Sequence, residues 1–231
     1  MIKPGDVISH SQMCIEEDSM LQRGMNFHLK PIYSVILMSV RAGAPYVDQV
    51  QDEGRVLIYE GHDLPRTRGV GDVKKLDQPM FTPNGKLTQN GNFFEAAQKP
   101  KKDKEHKELV KVYEKIRSGI WVYNGIFKLV DATQEKSGKR KVFKFRLEIA
   151  QDEFGFESNK ETDLDHSRLI PASVKLEVWK RDGGKCIKCD SDTNLHFDHI
   201  LPYAKGGTSL KAENIQLLCA RHNLQKSDSI E

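Results

Sequence analysis

CIKCDSDTNLHFDHILPYAKGGTSLKAENIQLLCARHNLQK, Cys186 to Lys226, decides how this chain is read. It holds two metal knuckles, Cys186-x2-Cys189 and Cys219-x2-His222. Three thiols and an imidazole at these spacings suit one tetrahedral zinc, Zn2+. Asp198, His199, Asn214 and Asn223 are left over. Oxygen ligands and one imidazole suit a hard divalent cation and a water-activating base. The stretch therefore reads as two metals with different jobs, one structural and one catalytic.

Outside this stretch the composition sets bounds. The chain has 231 residues, enough for one large or two ordinary domains. Charged residues make up 30% and hydrophobic ones 38%, the balance of a soluble globular protein. No apolar run is long enough to span a bilayer, and MIKPGDVISH lacks the apolar core of a secretory signal. Three of the four cysteines sit in the knuckles and Cys14 stands alone, which is metal arithmetic and points to a reducing cytoplasm. A net charge of +3 is too small to establish a nucleic-acid partner by itself.

Upstream, VILMSV (35–40) and RVLIY (55–59) read as strands, and residues 63–79 as an exposed basic loop. A short helix is expected from Asn90 through FFEAA. The lysine-rich run 99–107 reads as a solvated loop and helix start, with a contact to phosphate as the other reading. Leu109, Val112, Tyr113 and Ile116 follow i, i+3, i+4, i+7 and predict an amphipathic helix. IWVYNGIFKLV (120–130) is strand-like with a bulge at Asn124-Gly125. The SGKR turn then joins it in a hairpin to the alternating Phe143, Phe145, Leu147 and Ile149. Residues 151–170 are acidic and aperiodic and read as a linker. Pro171 opens a helix to about Arg181, stopped by Gly183-Gly184. The expected layout is α+β: residues 1–150 mostly β, a linker at 151–170, and a small metal-stapled domain at 171–231.

That small domain is too short to rely on its core alone, so a zinc clamp is physically sensible. Cys186, Cys189, Cys219 and His222 are assigned to it. Phosphodiester hydrolysis needs a deprotonated water, a Lewis acid and stabilisation of the leaving oxygen. His199 can supply the base, and Mg2+ or Mn2+ held by Asp198 and Asn223 the rest. Asp198 and His199 are strand neighbours, so a local bulge is expected before both can serve one site. Asn214 is expected to bond backbone carbonyls of the loop carrying His199, and His196 to be a packed strand residue.

WKRDGGKCIKCD, DHILPYAKGG, NIQLLC and HNLQK resemble an HNH nuclease of the ββα-metal class over about residues 172–228. The resemblance implies that His199 is the general base, Asp198 and Asn223 bind the catalytic ion, and Asn214 positions the base loop. His222 stands where a fourth cysteine is commoner.

In the first half, Tyr46 and Tyr59 flank a loop containing Asp48. Two aromatic faces and a carboxylate are what an unstacked cytosine requires, although composition alone makes them core tyrosines. PYVDQVQDEGRVLIYEGHD, LDQ, LTQNGNFFEAA and IWVYNGIFKLVDA resemble an SRA (SET- and RING-associated) domain of the PUA-like β-barrel group, over about residues 1–150. YNG at 123–125 stands for its tyrosine–aspartate–glycine signature. The resemblance implies a barrel that flips 5-methylcytosine or a related base such as 5-hydroxymethylcytosine. Tyr46 and Tyr59 would be the stacking walls, Asp48 or Gln49 the pocket acceptor, and Arg66 and Arg68 the DNA-contacting residues of a finger. Together the halves imply a modification-dependent restriction endonuclease of the bacterial cytoplasm, acting on double-stranded DNA as a homodimer. The alternatives are a non-catalytic reader of modified DNA and an HNH nicking enzyme without base preference.

Overall fold

The computed structural model describes residues 2–41, 43–65, 71–99, 108–150, 169–202 and 206–226. Arg66, Arg68, most of the lysine run and residues 151–168 of the expected linker lie outside them. Among the described residues no helix is long and apolar enough to cross a membrane.

Among the described residues the amino-terminal part forms one eight-stranded sheet. Its strands are β1 (Val7–Ser9), β2 (Met25–Lys30), β3 (Tyr33–Met38), β4 (Gln49–Gln51), β5 (Val56–Glu60), β6 (Leu109–Arg117), β7 (Ile120–Ser137) and β8 (Arg140–Ile149). The order is β2-β3-β6-β7-β8-β5-β4, with β1 paired to β7. Only β3–β6 is parallel among the pairings. The alternating Phe143, Phe145 and Leu147 of β8 meet Leu57 and Tyr59 of β5 inside the curl. Helix α2 (Gln89–Gln98), capped by the Thr88 side chain, adds Phe93 to the same core. Helix α1 (His10–Glu16) opens with a capping box between Ser9 and Gln12.

The segment expected to be a helix at 109–116 is strand β6. Its β-branched Val110 and Val112 alternate into the main core, while Tyr113 on the opposite face enters a second one. A strand lying between β3 and β7 and buried on both faces can mimic the i, i+3, i+4 spacing of a helix. The bulge in β7 falls at Asn124-Gly125: Lys111 faces Ile126 but Tyr113 faces Tyr123. Gly125 supplies the φ of +95° that this kink takes.

The carboxy-terminal unit comprises α3 (Ala172–Arg181), β9 (Leu195–His199), β10 (Ile215–Cys219) and α4 (Ala220–Lys226). β9 and β10 pair antiparallel, and α3 and α4 pack against that hairpin. Its apolar residues share one cluster with the sheet: Ile116 and Val122 meet Val174, Val178, Phe197 and Leu217. The last two residues of the expected linker are not linker-like. Leu169 is buried in the main core and Ile170 in the shared cluster. The aperiodic acidic run before them hid this pair.

Candidate nuclease centre and base pocket

The knuckles converge. One ligand atom from each of Cys186, Cys189, Cys219 and His222 lies within 4.8 Å of the others. His222 Nδ1 is 3.4 Å from the sulfurs of both Cys186 and Cys219, and the Cys189 and Cys219 sulfurs are 3.8 Å apart. Zinc–sulfur bonds of about 2.3 Å give a tetrahedron with edges of about 3.8 Å, so the donor set fits zinc in chemistry and spacing. Burial works against the Cys186 thiolate, but backbone N–H groups of Cys219 and Lys188 and the His222 ring outweigh it and lower the pKa to about 6. Gly183 and Gly184 turn the chain from α3 into the first knuckle at φ +65° and +67°. Cys219 ends β10 and His222 lies on α4, so the clamp ties helix to hairpin.

On the hairpin, Asp198 Oδ2 accepts hydrogen bonds from Lys226 Nζ at 2.6 Å and from Gln216 Nε2 at 3.0 Å. Gln216 is its cross-strand partner in the register. Lys226 Nζ also donates to the His199 carbonyl. His199 Nε2 is 2.8 Å from the Ser209 hydroxyl, and Ser209 is buried. Asn214 clips the intervening loop: its Oδ1 accepts from Leu201 N at 2.8 Å, and its Nδ2 donates to the Leu201 and Thr208 carbonyls at 3.0 Å each. Asn223 lies on α4 three residues before Lys226, the residue of that helix whose side chain meets Asp198. The bulge expected at Asp198-His199 does not occur. The β9–β10 register runs unshifted through both, so the strand's alternation separates the two side chains: Asp198 meets Gln216 and Lys226, and His199 meets Ser209 in the loop that follows. His196 packs at 7% exposure, its Nδ1 on the Asp6 carboxylate.

Sequence reasoning missed Lys226, Gln216 and Ser209. Lys226 had a signal, its helical spacing from Asn223. Gln216 and Ser209 had none, since their contacts depend on hairpin register and loop closure.

In the sheet, a cavity of about 480 Å³ is lined by Ser39, Tyr46, Asp48, Tyr59 and His62 among others. Asp48 spans the gap between β3 and β5, accepting from Ser39 N and Glu60 N at 3.0 Å each. Burial raises its carboxyl to about 6 against those two donors. Gln49 is exposed on β4 and bonds Gln51, away from the cavity. The Tyr59 ring is buried, and its hydroxyl donates to the Gly24 carbonyl at 3.1 Å. His62, absent from the sequence-based set, links these groups. Its Nε2 is 2.8 Å from the Tyr59 hydroxyl, and its ring stacks on Tyr46 at 4.7 Å and 10°. Burial lowers His62 to about 4, so it is neutral at pH 7. The Tyr46 and His62 rings are in stacking contact, with no gap between them.

The family model described as HNH endonuclease matches residues 186–231. That segment carries the Cys3His cluster. A comparison with curated protein sequences gives no match. Among solved structures, the SUVH5 SRA domain in complex with hemimethylated CG DNA is similar at 23% identity and a TM-score of 0.45, covering 67% of this chain and 94% of that one. SUVH6 of Arabidopsis thaliana is similar at 18% identity and TM-score 0.40, covering 64% and 24%. The type IV phosphorothioation-dependent restriction endonuclease ScoMcrA is similar at 13% identity and TM-score 0.42. The match covers 99% of this chain and 56% of that one.

Proposed function

We propose that this chain is a modification-dependent DNA endonuclease. The amino-terminal sheet takes a flipped, modified cytosine into the Tyr46–Asp48–Tyr59–His62 cavity, and the HNH unit hydrolyses a nearby phosphodiester. The observation that carries the reading is the zinc-type clamp holding α4 against a hairpin that presents Asp198 and His199.

Asp48 receives the exocyclic amine of the base. Its oxygens each hold one backbone donor and retain lone pairs for another. His199 carries the lone pair on Nδ1 when Nε2–H donates to Ser209, and Nδ1 then takes the proton of the attacking water. Asn214 keeps that imidazole in place by closing the loop behind it. Asp198 and Asn223 would hold a divalent cation, which when bound supplies Lewis acidity to the phosphate. Lys226 would share Asp198 with it and bring a second positive charge near the substrate backbone. Each unit cuts one strand, so a double-strand break needs two copies, as a homodimer or as two chains meeting on DNA.

The test uses plasmids with unmodified, methylated, hydroxymethylated and glucosylated cytosine, each with Mg2+ or Mn2+. Cutting confined to modified plasmids is expected. Equal cutting of all of them would remove the base-reading claim. Tight, selective binding with no turnover in any divalent ion would leave a reader alone.

A further inference from the structure

We propose that the HNH unit is docked on the sheet in one fixed orientation, with Lys175 as a positioning residue. This docking, not the length of residues 151–168, then sets where the backbone is cut relative to the modified base. The second half rests on the function proposed above; the first does not.

Lys175 of α3 is 1% exposed, and its Nζ donates to Glu114 Oε2 on β6 and Asn124 Oδ1 on β7, both at 2.7 Å. Asn124 Nδ2 closes the triangle on Glu114 Oε2 at 3.0 Å. Asn124 is the central residue of YNG, so this signature position serves the interface and not the cavity. Two directional bonds to the ammonium, on acceptors braced against each other by the third, fix its placement and hence that of α3 in a site shielded from water. A loose tether gains nothing from burying a lysine and a glutamate, whose desolvation is costly.

Two further attachments agree. The segment just before β1 lies between the units: Gly5 N donates to the Tyr123 carbonyl on β7, and Phe197 N on β9 donates to the Gly5 carbonyl. Phe197 adjoins Asp198, so the candidate catalytic strand is joined to the sheet by backbone. The chain entering α3 is also pinned. Leu169 lies so close to Gly54 (φ +91°) that a Cβ there would stand 2.3 Å from the Leu169 carbonyl oxygen.

The experiment inserts twelve Gly/Ser residues between Asn159 and Lys160 of the full chain. A tether lengthened this way could reach up to about 40 Å further, roughly 12 base pairs. The radius of gyration from small-angle scattering is expected to match wild type apart from the added residues. Cut positions on a duplex with one modified cytosine are expected to stay put. Expansion of the particle, or cut sites spread over several base pairs, would overturn the proposal. Scattering decides the docking even if wild type cuts nothing, an outcome that would instead refute the proposed function. Lys175→Met, if folded, is expected to broaden the cut distribution. A folded Lys175→Met with wild-type sharpness would remove Lys175 from the role, and if this variant does not fold the insertion still decides.

Discussion

Replacing Lys175 with methionine tests the energetics of the buried interface. The substitution keeps a long apolar stem and deletes only the ammonium. Glu114 is then left fully buried with Asn124 Nδ2 as its one remaining side-chain donor, and its Oε1 has no partner to begin with. Removing one partner of a buried pair costs about 3–5 kcal/mol, because the other charge stays behind. Against a total stability of about 5–15 kcal/mol this is large. At about 2–4 °C per kcal/mol for a chain of this size, the midpoint should fall by roughly 6–20 °C. Burial already pushes the Lys175 ammonium below its ordinary pKa against the pull of Glu114. Removing both charges should therefore cost little. Lys175→Met with Glu114→Gln is expected to recover most of the loss, since glutamine can pair with Asn124 without an uncompensated charge. The assay is urea unfolding followed by far-UV circular dichroism, with thermal melts, of wild type, Lys175→Met, Glu114→Gln and the double variant. A single variant within about 1 kcal/mol of wild type, or a double variant no better than the single, would refute this reasoning.

Four further outcomes are expected. Binding of modified duplex should weaken as pH falls through about 6, where Asp48 takes up a proton and loses its acceptor character; anisotropy titrations with wild type and Asp48→Asn check this, the variant being flat. The sign is opposite for the fold: the native carboxyl binds its proton at a higher pH than the unfolded one, so Asp48's protonation between about 6 and 4 favours the folded state. Gly207→Ala should lose cutting by about 100-fold while staying folded, because a Cβ there would stand 1.8 Å from the Leu201 carbonyl oxygen and force open the loop clipped by Asn214. Lys226→Met should change the affinity for Mn2+ by isothermal titration, since it removes the ammonium on Asp198; an unchanged affinity would separate Lys226 from the cation site. Stripping zinc with a strong chelator should unfold the carboxy-terminal unit, and elemental analysis of the native protein should find one zinc per chain.

The parts of this protein legible in its sequence are those set by short-range spacing and ligand chemistry. Cys186-x2-Cys189 and Cys219-x2-His222 could be paired without a fold because two knuckles have one economical use. Strands β7 and β8 were legible because alternation with a turn between is a local signal. Strand β6 was not: burial on both faces erased the alternation, and the apolar residues that remained fell at helical spacing. Leu169 and Ile170 were lost for the opposite reason, two buried residues at the end of a run with no period. In the cavity, Asp48 and Gln49 differ only in which way β4 turns, a matter of register that local sequence does not carry. His62 stands three residues after Tyr59, but its stacking partner Tyr46 comes from another segment, so local sequence did not mark it. The same holds for Lys226 on Asp198, where a helix must first be clamped to a hairpin.

The central claim is that one part of the chain recognises the base and another breaks the backbone. Single-turnover kinetics on two duplexes differing in one cytosine 5-substituent test it most directly, with wild type, Asp48→Asn and His199→Ala measured for binding and cutting side by side. His199→Ala is expected to keep its preference for the modified duplex and lose cutting by about 100-fold or more, while Asp48→Asn loses the preference. Cutting by His199→Ala at the wild-type rate, or an Asp48→Asn protein that still discriminates, would contradict it.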